Sequence, residues 1–462
     1  MIAVSRWAGK RVVVVGLARQ GKALVQYLAA HGAHVLVTDL KSEEELKEEM
    51  SELVDLKLDF VLGSHPSSLL EGTGALFLSG GVPADISLAA DARKQGILVS
   101  NDAQLFLEET PATVIGITGS AGKTTTASLA AQMAEQAFEG KERSVWLGGN
   151  IGRPLLIDLA RMQIGDLAVM ELSSFQLELM DSSPAIAAIL NLTPDHLDRH
   201  GTMENYVQAK LRILQFQAPD DWAILNHDDP AVWAFHDDIK GGLIAFGAAD
   251  PGTESAAFIG GNQLTIRYGG VQREICGVDA VKLRGRHNLL NMLAACALSA
   301  AAGVEVEAMS SVATTFAGVP HRLEFVENIH GAEWFNDSIA TTPARALAAV
   351  RSFDAPIILL LGGQDKALPW EPFFAEVLGQ VEHIVLFGEV GGRFADLINN
   401  LETADDTGSV SLVDNLEQAV AAAARLAQPG MVVLLSPGCT SFDEFANYEA
   451  RGERFMELVR AL

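Results

Sequence analysis

Short apolar runs alternate with stretches of helical spacing along most of this chain. The run 11–15 is followed by a glycine turn, a helical pattern over 22–30 and a second apolar run at 35–37. Similar runs recur at 75–78, 97–99, 114–117, 167–170, 186–190, 357–361, 383–387 and 431–435. Because strands that alternate with helices build parallel sheets, this pattern predicts a doubly wound α/β architecture.

The alternation falls into three blocks. A chain of 462 residues is expected to hold about three domains. We therefore predict a Rossmann-like domain over 1–107, a central domain with a mostly parallel P-loop ATPase-type sheet over 108–319, and a Rossmann-like α/β domain over 320–462. Short strands with glycine punctuation, including the hairpin pattern QLTIRY-GG-VQREI, predict a small β subsheet in the central block.

Charge and cysteine content narrow the function classes. The formal net charge is −26, which argues against nucleic-acid binding and requires local cations wherever an anionic substrate binds. The three cysteines form no CxxC pair, so a disulfide framework is not expected and a reducing cytoplasm is the simplest compartment. The longest nearly apolar stretch, 292–304, is too short to span a bilayer, and the start of the chain lacks a signal-peptide pattern.

The strongest chemical signal is GITGSAGKTTT over 116–126, between an apolar run and a helical pattern. Glycines in such a loop let backbone N–H groups converge on phosphate oxygens, and the helix N-terminus adds positive potential. Lys123 is expected to contact the β- and γ-phosphates, and the Thr124 hydroxyl to bind Mg²⁺. The general spacing places a glycine where this chain has Ile117, with Gly116 beside it. A plain strand–helix turn is the alternative.

Polar residues follow two further strands of the central block. Glu171 ends an apolar run, where a nucleotide-bound Mg²⁺ would find an oxygen ligand. In the run 191–200, His196 and His200 have an i, i+4 spacing that raises the question of zinc. The metalloprotease glutamate is absent and no cysteine is nearby, so zinc is disfavoured. A surface helix capped by Asp195 and a Mg²⁺-binding, substrate-orienting cluster both remain open.

The N-terminal turn Gly16–Gly21 is similar to a dinucleotide fingerprint, with Asp39 at the end of the next strand. Ala18 replaces the glycine that lets a backbone approach a pyrophosphate. NAD is therefore disfavoured, and a different nucleotide at these strand ends is expected. In the third block, the runs 336–343, 362–366 and 436–443 each follow a strand. Ordinary turn chemistry explains any one of them, but together they predict a mouth at one sheet edge.

In chain order, several segments resemble the Mur ligase family over essentially the whole length: GITGSAGKTTT, GGNIG, MELSSFQLE, NLTPDHLDRH, YVQAKLRI, LRGRHNLLN, GVPHRLE, NDSIATTP, LLGGQDK and LLSPGCTSFDEFANYEARGERF. These enzymes are ATP-dependent amide ligases of peptidoglycan synthesis. The resemblance implies that a substrate carboxylate attacks ATP to give an acyl phosphate, which the incoming amine displaces. It implies UDP-N-acetylmuramoyl-L-alanine and glutamate, in the D form, as the substrates.

The resemblance also implies roles for individual residues. It makes Lys123, His196 and Lys210 catalytic, with Lys210 carbamoylated; without it, Lys210 would be interpreted as a solvated helix lysine. ATP would be bound by Gly119, Ser120, Gly122, Lys123, Thr124, Thr125, Asn288, Arg322 and Asp337. Two Mg²⁺ sites would be built from Thr124, Glu171, His196 and Lys210. The UDP-sugar side would take Arg19, Gln20, Asp39, Ser79, Gly81, Asn150 and Ser173, and the glutamate side Thr341, Lys366, Ser441, Phe442 and Tyr448.

Two positions depart from the family pattern. Ala121 replaces an asparagine of the phosphate loop, and Ile339 replaces a lysine that often lies beside the incoming glutamate. The second departure leaves open an enzyme that adds L-glutamate, or another step of the family. An NAD-dependent oxidoreductase and a non-catalytic nucleotide-binding regulator are the alternatives outside it. We also expect a cytoplasmic monomer whose third domain closes over ATP.

Overall fold

The computed structural model describes residues 5–150, 152–283, 285–365, 368–400 and 409–462, with Asp198 described by its backbone alone. These residues form three sheets of five, nine and six strands, covered by helices. The predicted α/β fold class is therefore confirmed. The chain divides into two compact units, Met1–Phe316 and Ala317–Leu462. The first unit contains both the first and the second sheet, and the boundary at 107/108 stays a prediction.

The first sheet is entirely parallel, with strand order β3-β2-β1-β4-β5. Its strands are β1 (Arg11–Val15), β2 (His34–Asp39), β3 (Leu58–Leu62), β4 (Ala75–Leu78) and β5 (Leu98–Ser100), and its helices are α1 (Arg19–Ala30), α2 (Lys47–Ser51), α3 (Ser87–Lys94) and α4 (Asp102–Glu109). Both faces of β1 are buried, since Val12 and Val14 enter one core while Val13 and Val15 enter another.

The second sheet has the order β14-β13-β12-β11-β10-β9-β6-β8-β7. Its strands are β6 (Thr113–Thr118), β7 (Val145–Gly149), β8 (Leu167–Glu171), β9 (Ile186–Ile189), β10 (Trp222–Asn226), β11 (Gly242–Gly247), β12 (Ala256–Gly260), β13 (Gln263–Tyr268) and β14 (Val271–Gly277). Its helices are α5 (Lys123–Phe138), α6 (Ser174–Leu177), α7 (Leu197–His200), α8 (Met203–Gln215), α9 (Pro230–Trp233), α10 (Arg286–Ala301) and α11 (Val306–Thr315). Only β12 to β14 pair in antiparallel fashion, which confirms the predicted hairpin.

The third sheet forms the second unit, with strand order β15-β16-β20-β17-β18-β19. Its strands are β15 (Glu324–Ile329), β16 (Ala332–Asn336), β17 (Ile357–Gly362), β18 (His383–Phe387), β19 (Ser409–Leu412) and β20 (Val432–Gly438), and its helices are α12 (Pro343–Val350), α13 (Glu371–Val377), α14 (Gly391–Asn399), α15 (Leu416–Leu426) and α16 (Tyr448–Arg460). Apart from the β15–β16 pair, the strands are parallel.

The acidic stretch 43–49 contributes little to the helices of the first sheet. The helix α2 covers only Lys47–Ser51 and has no buried residue. A polar segment without an apolar face has little packing to stabilise a longer helix. In the described part of the chain, no helix is long and apolar enough to cross a membrane.

Candidate active site

The loop between β6 and α5 is shaped by Gly122, which precedes the helix with a φ of 84°. A Cβ atom there would lie 2.3 Å from Asn291 Oδ1, so the position requires glycine. The Ser120 N–H donates to the Asn191 carbonyl at 3.0 Å, and the Ala121 N–H donates to Asn191 Oδ1 at 2.8 Å. The 16-residue helix that follows carries no acidic residue in its first turn, so its positive end is not neutralised there.

Lys123 and Thr124 begin this helix. The Lys123 ammonium donates to the carbonyls of Gly119 at 2.8 Å and Ser120 at 3.2 Å, which places the cation against the loop. Thr124 is buried, and its hydroxyl donates to Glu171 Oε2 at 2.9 Å. The structure therefore brings the start of α5 and the end of β8 together. Thr125, the next residue of the first turn, is partly buried.

Glu171 is buried, and neutral donors contact both of its carboxylate oxygens. Thr124 contacts one oxygen, and Asn150 Nδ2 donates to the other at 2.9 Å. A buried carboxylate without a formal ion pair is costly unless a cation joins it. A threonine hydroxyl and a carboxylate at a phosphate loop are hard oxygen ligands of the kind that Mg²⁺ prefers. These residues therefore fit the metal that the sequence predicted.

Lys210 is buried, with 2% of its surface exposed, although it lies on a helix otherwise rich in polar residues. Its ammonium donates to the Gly119 carbonyl at 2.9 Å and to Thr118 Oγ1 at 3.3 Å, and it lies 4.7 Å from the centre of the Tyr206 ring. Burial, and after it the charge of Lys123, lower the pKa of Lys210 to about 7. The side chain thus reaches the base of the phosphate loop and does not extend into solvent.

The two histidines of the run 191–200 have different surroundings. His196 is exposed, has a φ of 52° and precedes the four-residue helix α7, so the cap of that helix is His196 and not Asp195. His200 is buried, with Nε2 2.9 Å from Ser174 Oγ and Nδ1 2.9 Å from Glu178 Oε1. Both ring nitrogens of His200 are therefore in polar contacts with neighbouring side chains.

No cluster of three or more His, Cys, Asp or Glu side chains suited to a metal occurs within the described ranges. Within these ranges, neither His196 nor Glu171 therefore belongs to a ready cluster of that kind. His196 instead lies edge-on to Phe175, with 5.2 Å between the ring centres. Ser173 caps α6 through a reciprocal pair of hydrogen bonds with Gln176.

At the N-terminal turn, Asp39 shapes the backbone. Its two carboxylate oxygens accept the N–H groups of Leu17 at 2.8 Å and Lys41 at 3.0 Å. The helix α1 that follows has no side-chain cap and no acidic residue in its first turn. Ser79, at the end of β4, is buried, and its hydroxyl has no hydrogen-bond partner. An uncapped helix start beside an unpaired hydroxyl suits a phosphate-bearing ligand.

Other residues that the family resemblance assigned to the UDP-sugar lie near this turn. The Gln20 side chain lies over Gly80, where a Cβ atom would come within 3.4 Å of it, and Gly81 is exposed. Arg19 Nη2 donates to the Asn150 carbonyl at 3.0 Å. Since Asn150 also contacts Glu171, a continuous series of hydrogen bonds connects the start of α1 with the phosphate loop.

In the second unit, three loops leave the carboxyl ends of β16, β17 and β20, which are adjacent strands, as the sequence predicted. Gln364 and Thr440 pair through their backbones and join two of these loops. Asp337 is buried and accepts hydrogen bonds from Ser436 Oγ at 2.7 Å and from the Leu323 N–H at 3.2 Å. Burial raises the pKa of Asp337 to about 6.

The other predicted positions of this unit differ in exposure. Arg322 is exposed, Thr341 is partly buried and Ser441 is buried. Phe442 exposes 66% of its surface, an unusual value for a large apolar residue. The partly buried Tyr448 begins α16, and its carbonyl accepts from Ser338 Oγ at 2.8 Å. Lys366 lies outside the described residues.

Three residues that contact the predicted site were not among the sequence candidates. Asn191 binds the phosphate loop, and Asn291 lies against Gly122 and donates to Asn288 Oδ1 at 3.2 Å. The i, i+3 spacing of the two asparagines on one helix could have indicated Asn291. Arg451, which binds the loops of the second unit, gives no signal in the sequence.

Comparison with known proteins covers most of the chain. Residues 10–101 match the Mur ligase MurD-like N-terminal domain, 117–299 the Mur ligase middle domain and 321–439 the Mur ligase glutamate ligase domain. The chain is 40% identical to the UDP-N-acetylmuramoylalanine--D-glutamate ligase of Symbiobacterium thermophilum, over 98% of each chain. It is 39% identical to the protein of the same name from Geotalea uraniireducens, again over 98% of each.

Solved structures share the fold at lower identity. The UDP-N-acetylmuramate-alanine ligase MurC of Thermotoga maritima aligns with a TM-score of 0.53 and 18% identity, covering 98% of this chain and 99% of the other. The murein peptide ligase of Psychrobacter arcticus aligns with a TM-score of 0.52 and 14% identity, with the same coverage. Together with the three matching domains and the full-length relatives, these similarities show that the chain belongs to the Mur ligase family.

Proposed function

We propose that this protein is an ATP-dependent ligase that forms the amide between UDP-N-acetylmuramoyl-L-alanine and D-glutamate in peptidoglycan precursor synthesis. The names of relatives that are 35–40% identical over 98% of the chain support the reaction. The observation that carries the proposal is structural. The buried amine of Lys210 binds the Gly119 carbonyl of the phosphate loop, and Thr124, directly after this loop, binds the buried carboxylate of Glu171.

The proposed reaction has two steps. The alanine carboxylate attacks the γ-phosphorus of ATP, which releases ADP and leaves an acyl phosphate. The glutamate amine then attacks the acyl carbon and releases inorganic phosphate as the amide forms. Both steps bring anions together, so the site needs fixed cations and dipoles directed at the transferring group. Lys123 and the start of α5 supply them beside the γ-phosphate.

Magnesium would be held by Thr124 and Glu171 at one site, and by His196 with Lys210 at a second. The bound ions would neutralise charge on the phosphate oxygens. For Thr124 and Glu171, the buried oxygen pair supports the assignment. For His196, the support is the family pattern, and its exposed ring has to turn toward the loop to contribute.

Lys210 is proposed to act as a carbamate. The neutral amine adds to the carbon of CO₂, an N–C bond forms, and one proton leaves, so that a cation becomes an anion suitable for Mg²⁺. This addition requires the neutral amine. A pKa lowered to about 7 makes the neutral amine abundant at neutral pH, and burial protects the product from water.

The UDP-sugar is proposed to bind at the start of α1, where the uncapped helix and the unpaired Ser79 hydroxyl suit its diphosphate. Arg19, Gln20, Asp39, Gly81 and Asn150 would complete this side, with Ser173 near the reacting end. ATP is assigned also to Asn288, Arg322 and Asp337. Glutamate is assigned to Thr341, Lys366, Ser441, Phe442 and Tyr448.

A substrate panel tests the proposal. Phosphate release is measured with UDP-N-acetylmuramate or its L-alanyl derivative as acceptor, and with D-glutamate, L-glutamate, L-alanine or diaminopimelate as donor. We expect turnover only with the L-alanyl acceptor and D-glutamate. Since Ile339 replaces a family lysine, preference for L-glutamate would reassign the stereochemistry. If ¹⁸O in the acceptor carboxylate never reaches inorganic phosphate, the acyl phosphate step is wrong.

A further inference from the structure

Arg451 is a buried cation that is bound only by uncharged oxygens. It lies in the first turn of α16 with 1% of its surface exposed. Nε donates to Ser338 Oγ at 2.9 Å and Nη1 to the Thr440 carbonyl at 3.0 Å. Nη2 donates to the carbonyls of Ser338 at 2.9 Å and Cys439 at 3.1 Å. Among the described residues, no carboxylate forms an ion pair with this guanidinium.

These four hydrogen bonds engage all three nitrogens of Arg451 but do not neutralise its charge. Burial lowers the pKa of Arg451 to about 10, which still leaves the guanidinium charged at neutral pH. A buried charge without a counter-ion is among the most expensive features a fold can carry. Asp443 and Glu444 act on it only through space. The second unit therefore keeps a positive charge that it does not fully compensate.

The position of this charge is set by the three loops at the carboxyl edge of the third sheet. Ser338 belongs to the loop after β16, and Cys439 and Thr440 to the loop after β20. Thr440 pairs in turn with Gln364 in the loop after β17. A Cβ atom on Gly363 would lie 3.0 Å from Arg451 Nη1, so the third loop also packs directly on the guanidinium. The Arg451 side chain thus contacts all three loops.

We propose that Arg451 is a positioning residue that makes this edge selective for a dicarboxylic amino acid. It holds the loops that carry Thr341 and Ser441, and its field attracts the side-chain carboxylate of the incoming substrate without touching it. The inference rests on the proposed function, because it assumes that the amino acid binds at these loops. Its new content is the source of selectivity for the second carboxylate, in a chain that has Ile339 and no lysine at that position.

The alternative is that Arg451 only holds the loops together. The two ideas differ in what loss of charge does. A structural residue affects all amino acids alike, whereas a field discriminates glutamate from glutamine, which has nearly the same shape and no charge. For a guanidinium and a carboxylate about 8 Å apart, at an effective dielectric constant of about 20, the attraction corresponds to at least tenfold in the binding of glutamate relative to glutamine.

The experiment compares kcat/KM for glutamate and for glutamine of the same configuration, using the complete enzyme with ATP and the UDP-sugar acceptor. Arg451→Met removes the charge at similar length, and Arg451→Lys keeps it. We expect the glutamate preference to fall about tenfold in Arg451→Met and to persist in Arg451→Lys. The KM for the UDP-sugar acceptor should stay within about twofold of the wild-type value, because all residues proposed to bind it belong to the other unit.

Three matched variants separate charge from packing. Ser338→Ala removes a hydrogen bond to Nε but keeps the charge, so both amino acids should lose rate equally. Arg454→Met removes an exposed charge from the same helix, where Arg454 pairs with Glu417 and Glu457, and should leave the preference unchanged. Asp443→Asn removes an opposing charge and should increase the preference for glutamate.

The outcomes are distinct. The inference is overturned if Arg451→Met folds and keeps the wild-type preference for glutamate over glutamine. It is also overturned if the variant loses activity with glutamate and with glutamine in equal proportion. If Arg451→Met does not fold, Asp443→Asn decides, and an unchanged preference in that variant overturns the inference. If the wild-type enzyme shows no turnover with glutamate at all, the proposed function fails before Arg451 is tested.

Discussion

Replacing Lys210 by methionine should make the protein more stable and inactive. The structure allows the first effect to be calculated. The pKa of Lys210 falls from an ordinary 10.5 to about 7, and each unit corresponds to about 1.4 kcal/mol. The folded state at pH 7 therefore carries a cost of roughly 4 kcal/mol for this ammonium. Methionine keeps the unbranched length and removes the charge.

Loss of the lysine leaves no acceptor without another contact. The Gly119 carbonyl still accepts from Lys123 Nζ at 2.8 Å, and Thr118 Oγ1 still donates to the Leu172 carbonyl at 2.9 Å. Two hydrogen bonds at about 1 kcal/mol each are lost. The net gain should therefore be about 2 kcal/mol at pH 7, visible as a higher urea midpoint for unfolding of the first unit in CO₂-free buffer.

The pH dependence follows from the sign of the shift. Between pH 7 and 10.5 the unfolded chain binds more protons than the folded chain, so wild-type stability rises with pH in this range. The advantage of Lys210→Met should shrink accordingly, disappear near pH 9, where the remaining charge cost of about 2 kcal/mol equals the two lost hydrogen bonds, and reverse at higher pH. If the variant is less stable at pH 7, or if its advantage does not depend on pH, the lysine is not desolvated as described.

Activity gives the second readout. Lys210→Ala should lose at least about 100-fold in kcat and regain part of it with formate or acetate, which can occupy the vacated space and supply a carboxylate. With ¹³CO₂, a carbamate signal should appear in the wild-type spectrum and vanish in the variant. The exposed Lys240 offers a matched control, because Lys240→Ala should change neither the signal nor the rate. A spectrum without a signal that depends on Lys210 would refute the carbamate.

Three further predictions concern single side chains. Lys123→Ala should lower phosphate release about 100-fold or more, because the cation that we propose to contact the γ-phosphate is lost, and a near-normal rate would contradict this role. Gly122→Ala should cost about 2 kcal/mol in urea unfolding, since its φ of 84° and the 2.3 Å approach to Asn291 both oppose a Cβ atom, and an unchanged midpoint would show that the loop adapts. Asp337→Asn should stabilise the second unit by about 1–2 kcal/mol at pH 7.5 and not at pH 4. Burial raises the pKa of Asp337 to about 6, so wild-type stability falls as pH rises from about 4 to 6; equal effects at both pH values would contradict this.

The parts of the site that the sequence could predict are those defined by local pattern. Lys123 and Thr124 follow a glycine loop between a strand and a helix, and Glu171 ends an apolar strand. Both signals lie within a few neighbouring residues, and parallel pairing of β6 with β8 then brings the residues together. The fold class follows for the same reason, since each alternating strand and helix is a short-range pattern.

The parts that escaped prediction depend on contacts between distant segments. Lys210 lies on a polar helix, and only the packing of that helix against the base of the phosphate loop buries its ammonium. Asn291 contacts the phosphate loop, and Arg451 contacts the loop after β16, each more than one hundred residues away in the chain. Neither residue type nor local spacing distinguishes such side chains from solvent-exposed ones. The length of α2 was also not predictable, because a polar segment without an apolar face carries no periodic pattern that marks where its helix begins and ends.

The core shared by the first two sheets has a consequence for how the family can diversify. Val12 and Val14 of the first sheet belong to the same continuous apolar cluster as Met170 and Ile189 of the second. A gene fusion that exchanged only the part carrying the first sheet with that of another ligase would place two mismatched apolar surfaces against each other. Recombination at that boundary is therefore constrained by shape as well as by ligand. New acceptor specificities should arise more readily through substitutions at the loop tips than through the exchange of whole modules.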